Sequence, residues 1–571
     1  MHRRKFLKAL LATGSAAWLT GCYTGSETQS GYARPVGFVP EPALPDLSAD
    51  FEVDPALDPQ PVFSLGVAAG DPRPHGIVLW TRIDPKVLGN LKHVAYEIAS
   101  DPSFSKQAIL VRGLANLSAE NDYTVKLPLE HQALQAFTTY YYRFIYNKTA
   151  SRSGRFKTLP EAEDQLAGLR FAFISCQDYS NGYYTALAHL AQEEVDFVLF
   201  LGDYIYETVS DPSFQGAQVR RVPPLPSGGT AAAGLDDYRH LYRTYKSDPD
   251  MQALHERFSV IQVWDDHEFA NDAWQDHHPD NNPDPAAATP LLRQAANQAW
   301  AEYGLADVPF DPQQAPLESI RLYRSFRFGT LMELAVTDER LYRDGPPCGN
   351  ATEQRYLTQR CAAAEDPARS MLGISQRDWF MNTIKGSPAT WKIWANEVTL
   401  MQMKLGDQFV TLDQWDGYPA ERAQMLTAIQ DAGVRNFIAV TGDIHSFIAG
   451  YLKRNFDDLL EMPVAVELVV GSVSSANLME LATSQIPLPS APLPMPIPLQ
   501  TGVSLESAFI VNNPHMRFFN SSTHGYCLMD VSPTRAVCTM KAVSTIREQT
   551  ASVQTLKRFT VPRDQVALIE G

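Results

Sequence analysis

Four apolar runs in this chain each end in a cluster of metal-ligating side chains, and that pattern restricts the fold more than any other feature. They are LRFAFISC at 169–176, VDFVLFLGDYIYE at 195–207, SVIQVWDDHEFAND at 259–272 and NFIAVTGDIHSF at 436–447. Short runs rich in β-branched and aromatic residues, with almost no polar interruption, predict strands buried on both faces, as in parallel sheets. Between and after them, apolar residues recur at three- and four-residue spacing over 183–194, 236–257, 291–305, 376–385 and 419–432, which predicts helices. Strand and helix alternation implies a layered α/β domain, over residues 165–571. In such sheets ligands gather beyond the carboxyl ends of the strands, where all four clusters fall.

The region before it has a different rhythm. FSLGVAAGD, GIVLWTRI, KHVAYEIAS, AILVRGLA, DYTVKLPL, TTYYYRFIYN and GRFKTL are short alternating runs separated by turn residues. They predict a small fibronectin- or immunoglobulin-like β-sandwich over 61–160. A chain of 571 residues is too long for one core, so two or three domains are expected. The runs at 222–234, 276–290 and 484–500 read as loops inserted in the α/β domain, the last rich in proline. Two strands, 525–531 and 536–543, are expected near the end.

Residues 1–22 read as a targeting leader. Arg3 and Arg4 precede Lys5-Phe6-Leu7-Lys8 and a modestly apolar stretch, too short for a membrane span of about 20 residues. RRKFLK resembles a twin-arginine export signal, and Leu19-Thr20-Gly21-Cys22 resembles a lipobox, which would attach a lipid anchor at Cys22. A tether over 23–60 follows. The expected location is therefore periplasmic or extracellular, at the cell surface where the anchor is present. In an oxidising compartment Cys348 with Cys361, and Cys527 with Cys538, are candidate disulfides. If both form and Cys22 is lipidated, Cys176 is the one thiol left over, which suits a metal thiolate. The formal net charge of −17 disfavours a nonspecific nucleic-acid binder, and no specific nucleic-acid binding is expected.

Each cluster offers distinct chemistry. In GDYIYE, Gly202 allows a sharp turn, Asp203 emerges at the strand end, and Tyr206 can fold back to the same point. A phenolate ligand at neutral pH calls for a strongly Lewis-acidic ion such as ferric iron. WDDHE supplies Asp265 and Asp266 as alternative carboxylate ligands, and His267 as a proton donor or oxyanion partner facing the substrate. Asp443 and His445 are two residues apart, so an extended segment points both the same way. Arg340 and Arg343 are candidate phosphate clamps, Arg343 the preferred one. Asn396, in WKIWANEV, is a polar candidate outside the core site.

Taken in order, Cys176, Asp203 with Tyr206, Asp266 with His267, and Asp443 with His445 resemble the metallophosphoesterase pattern. They depart from its common form by a Cys for an early Asp, an Asp for the Asn of GNHE, and an Asp for the first His of GHxH. Those departures, with GVAAGDPRPHGIVLWTRIDP at 66–85, DERLYRD at 338–344 and WDGYPAER at 415–422, resemble the alkaline phosphatase D (PhoD-like) family over most of the chain. The resemblance implies a metallophosphoesterase-like α/β sandwich after the β-sandwich. It also implies an exported hydrolase of phosphodiesters and some monoesters, in which metal-activated hydroxide attacks phosphorus in line. Fe3+ would lie among Cys176, Asp203, Tyr206 and His445, and Ca2+ among Asp203, Asp266 and Asp443. A phospholipase or teichoic-acid-type phosphodiesterase of the same family is the alternative enzyme. A surface binding protein without turnover is the alternative of another class.

Overall fold

The computed structural model describes residues 48–209, 221–280, 282–483 and 504–571. The leader with Cys22, most of the tether and the proline-rich 484–500 lie outside the described residues. Three parallel strands, Leu169–Ile174, Phe197–Leu201 and Ser259–Val263, form the centre of a ten-stranded sheet. Their register pairs Phe197 with Phe171 and Val198 with Val260, so their carboxyl ends finish side by side. A second, seven-stranded sheet carries Met332–Val336, Trp391–Asn396, Phe437–Thr441 and Ala465–Val469 as a parallel run.

The two sheets share one apolar core. Phe171, Phe173, Leu199 and Ile261 from the first meet Leu334, Ile393, Val440 and Leu468 from the second. Successive side chains on a strand point to opposite faces. The alternate residues Ala335, Trp394, Ala439 and Val469 therefore enter another core, against Phe380 and Ile384 of helix Ile374–Gly386 and Leu426 and Ile429 of helix Pro419–Asp431. Each of the larger aliphatic and aromatic side chains among these contributes roughly 1.5–3 kcal/mol by leaving water. Burial on both faces is why these strands read as near-continuous apolar runs.

Helices Leu235–Lys246, Pro249–Arg257 and Pro290–Tyr303 also pack into the core of the ten-stranded sheet, through Tyr238, Leu241, Leu254 and Trp300. The single helix expected over 236–257 is two. Pro249 lacks the N–H to continue the first, and the Asp248 carboxylate caps the second by accepting from the Asp250 N–H at 3.0 Å. Helix Leu505–Asn512 and a three-stranded sheet of Tyr356–Thr358, Gln408–Thr411 and Lys404–Leu405 have no counterpart in the sequence reading.

All seven expected amino-terminal strands are present, with a two-residue strand, Thr149–Ala150, besides. They enclose a separate core that includes Ile77, Leu79, Val94, Ile98, Val111 and Phe144. One layer of this sandwich is continuous with the α/β domain. Val67–Arg73 pairs in parallel with Ser259–Val263, so Val67–Arg73, Gly76–Arg82 and Thr124–Glu130 extend the ten-stranded sheet. Gly70 permits the approach, because a Cβ there would stand 2.2 Å from the Leu305 carbonyl oxygen.

Cys348 and Cys361 are bridged, with Cα atoms 5.7 Å apart. The expected Cys527–Cys538 bridge is absent: both thiols are free and buried. Register explains this correction. Cys527 faces Met540 and Cys538 faces Met529, so the two cysteines are diagonal rather than opposite across the hairpin. Cys176 is therefore not singled out by elimination, and its case rests on what surrounds it. Among the described residues, no helix is long and apolar enough to cross a membrane.

Candidate metal centre

Cys176, Asp203 and Asp265 follow the three parallel strands of the first sheet, and Asp443 follows Phe437–Thr441 of the second, so the two sheets deliver their clusters to one place. Close turns make this possible. A Cβ on Gly202 would lie 2.4 Å from the Asp265 Cβ, and Gly202 sits at φ 92°. Cys176, Asp203, Asp443 and His445 all adopt positive φ, between 52° and 64°. Such backbone costs of order 1 kcal/mol or more for a residue with a Cβ, and here it is concentrated on the side chains that converge.

Two kinds of donor set result. Cys176, Asp203 and His445 place a sulfur, an oxygen and a nitrogen within 4.8 Å of one another. The Tyr206 hydroxyl joins them, 3.0 Å from Asp203 Oδ2 and 3.2 Å from His445 Nε2. His445 Nδ1 lies 2.7 Å from the Ala476 carbonyl oxygen, which fixes that nitrogen as the donor and leaves Nε2 as a lone pair facing the cluster. Beside it stand Asp265, Asp266 and Asp443, an all-oxygen set of the same compactness, and Asp266 also groups with Asp203 and His267, and with Asp272 and Asp413. Mixed sulfur, nitrogen and oxygen donors suit a transition metal, and carboxylates alone suit a hard cation such as calcium.

The electrostatics call for cations. Asp203 Oδ1 and Asp265 Oδ2 are buried without a hydrogen-bond partner. Burial, opposed by His267 and reinforced by Asp266 and Asp443, pushes Asp203 up to about 7. Burial likewise lifts Asp443 to about 6 against the pull of Arg340. Burial also pushes His445 down to about 4, which keeps it neutral and able to ligate. The donor set and its two orphaned carboxylate oxygens thus fit metal ions.

Asp265 and Asp266 both belong to the all-oxygen set, but their other bonds differ. Asp265 is hydrogen-bonded by the fully buried Arg340, which stands 3.6 Å from Asp266, and Asp266 accepts the Asp272 N–H at 2.6 Å and the His267 N–H at 3.0 Å. Arg340 also reaches Asp413 at 2.6 Å and Asp443 at 3.0 Å. Arg343 does not present itself as a clamp. It is 1 % exposed, and its guanidinium donates to the Asp413 carboxylate at 2.5 Å and to the carbonyls of Asp413 and Asp272 at 2.7 and 2.8 Å. Burial would raise Asp413, but Arg343 and Arg340 outweigh it and hold that carboxyl below the usual range. Asn396 is likewise occupied, accepting from Trp415 Nε1 at 3.0 Å and donating to Val398 and Thr441.

Sequence reasoning missed the residues that hold the ligands in place. Glu268 accepts the N–H groups of Asp203, Tyr204 and Asp265 at 3.0, 2.6 and 2.8 Å, tying two strand ends together. Glu207 sits 2.7 Å from His267 Nδ1 and accepts the Asn271 N–H at 2.9 Å. Both glutamates lie inside quoted motifs, GDYIYE and WDDHE, so their position was visible though their role was not.

Comparison with known proteins places the chain in a family. The family described as PhoD-like phosphatase matches residues 171–540, and the PhoD-like phosphatase N-terminal domain matches residues 51–160. The chain is 31% identical over 521 residues to alkaline phosphatase D of Bacillus subtilis (strain 168), covering 89% of this chain and 82% of that protein. A solved structure titled "Structure of PhoD" superposes with a TM-score of 0.77 at 28% identity, covering 89% of this chain and 92% of the other.

Proposed function

The chain belongs to the PhoD-like phosphatase family and is a phosphoric ester hydrolase that binds metal, and from that premise we propose an exported phosphodiesterase, with some monoesterase activity, that uses Fe3+ and Ca2+. One observation carries the reading: a sulfur–nitrogen–oxygen set and an all-oxygen set lie side by side, linked through Asp203 and Asp266. Cys176, Asp203, Tyr206 and His445 would hold iron, and Asp203, Asp266 and Asp443 calcium. Metals bound there lower the pKa of water and neutralise phosphate oxygens.

The chain's own groups supply the rest. His267 is the proton donor to the departing oxygen. Glu207 at Nδ1 fixes the ring, so that Nε2 is the atom that hands over the proton. Tyr206 stacks on that ring with centroids 4.0 Å apart, which limits its rotation. Arg340 holds Asp265, Asp413 and Asp443 at fixed spacing, and Arg343 holds Asp413 from the other side, as a positioning residue rather than a substrate contact.

The bridged Cys348–Cys361 pair supports export to an oxidising compartment. Replacing Arg3 and Arg4 by Lys should retain the precursor in the cytoplasm. The activity is tested by hydrolysis of an aryl phosphodiester before and after calcium removal and re-addition, with metal content measured in parallel. Turnover lost with calcium and restored with it is expected. Full turnover after complete calcium removal would overturn the calcium assignment.

A further inference from the structure

Of the buried segment Ser472–Val473–Ser474–Ser475–Ala476–Asn477 only the Ala476 carbonyl has entered the site so far, yet the segment touches three of the four residues assigned to iron. The N–H groups of Ser474 and Ser475 both donate to the Cys176 carbonyl oxygen, each at 3.2 Å. The Ala476 carbonyl takes the proton of His445 Nδ1 at 2.7 Å. The Ser475 hydroxyl donates to the Tyr206 phenol oxygen at 2.6 Å, the shortest of the contacts that oxygen makes. All six residues are at most 2 % exposed.

The serine is itself held. Its oxygen accepts the Asp178 N–H at 3.0 Å, so its one proton is directed to Tyr206. Its carbonyl accepts from Ser472 Oγ at 2.7 Å, and that hydroxyl is 3.0 Å from His524 Nδ1. A hydroxyl pinned in this way and buried from solvent delivers a hydrogen bond of constant geometry to whatever charge develops on the phenol oxygen.

We propose that Ser475 is a positioning residue for the metal centre, whose hydroxyl bonds the Tyr206 oxygen and so sets how strongly that tyrosine donates to the metal. The proposal rests on the reading that Tyr206 ligates iron. As a phenolate, Tyr206 no longer donates to Asp203, but it still accepts from Ser475. A donor on a phenolate withdraws electron density, weakening its gift to the metal and raising the energy of tyrosinate-to-iron charge transfer. Fixing the oxygen also preorganises the ligand, and outer partners of this kind typically carry about 10-fold or more in metal affinity.

The test is the visible spectrum of the iron-loaded full-length protein, with iron retention against a chelator as a second readout. The wild type is measured first, and a tyrosinate charge-transfer band is expected. Ser475→Ala should move that band to longer wavelength and weaken iron retention about 10-fold. Ser475→Cys, a weaker donor, should fall between. Ser474→Ala is the control: its hydroxyl bonds the Asp178 carbonyl at 2.8 Å and does not reach Tyr206, so the band should stay in place. An unmoved band in both Ser475 variants, or an equal shift in the Ser474 control, overturns the proposal. Absence of the band in iron-loaded wild type overturns the iron–tyrosine reading itself and takes this proposal with it.

Discussion

His267 rests on Glu207, with Nδ1 2.7 Å from Oε2 and both side chains buried. The glutamate belongs to the loop after one parallel strand and the histidine to the loop after its neighbour. The pair therefore exists only because those two strands are adjacent and end together. Burial alone would lower His267, but Glu207, Asp203 and Asp266 outweigh it and raise the imidazole well above its ordinary value.

Glu207→Gln keeps the shape and removes the charge, presenting an amide N–H to Nδ1 and disfavouring the proton-donating form. Turnover of an alkyl phosphodiester should fall about 100-fold or more, while an aryl ester with a good leaving group should lose much less. Equal losses on both esters would remove His267 from the role of leaving-group acid.

Cys176→Ser replaces the only sulfur in the mixed donor set. Elemental analysis of the variant should show iron well below one per chain with calcium retained, and any visible charge-transfer colour should fade. Full iron content with unchanged colour would exclude the thiol as a ligand.

Arg343→Met leaves Asp413 buried with one guanidinium in place of two. Breaking a buried pair in this way costs about 3–5 kcal/mol, so the thermal midpoint should drop while KM changes little. A rise in KM at an unchanged midpoint would show instead that the guanidinium touches the substrate.

His515, which belongs to none of the metal-ligand groups, offers a pH test. Burial pushes it down to about 4 from an ordinary 6.5, and its Nε2 lies 2.8 Å from the Gln402 carbonyl oxygen. Between those values the unfolded chain binds the proton and the folded chain does not. Its contribution is therefore intact above about pH 6.5 and is lost as pH falls toward 4, by about 3 kcal/mol. His515→Gln should flatten that limb of a stability profile. An unchanged acid limb would show that this histidine is not neutral in the fold.

Much of this protein is decided within short stretches of its sequence. An apolar run long enough for one strand, followed at once by Gly202-Asp203 or Gly442-Asp443, already states that a strand ends in a turn carrying a carboxylate. The seven amino-terminal strands were legible for the same reason, since alternation and turn residues are local signals. Tertiary structure alone decided which strands became neighbours. That choice continued Val67–Arg73 into the catalytic sheet, set Cys527 and Cys538 diagonal to each other, and turned Arg343 inward onto Asp413. It also laid Ser475 against Tyr206 across 269 residues of sequence. A strand's periodicity reveals which face is buried, but a hydrogen bond between two loops depends on the register of every strand between them, and no local pattern encodes that.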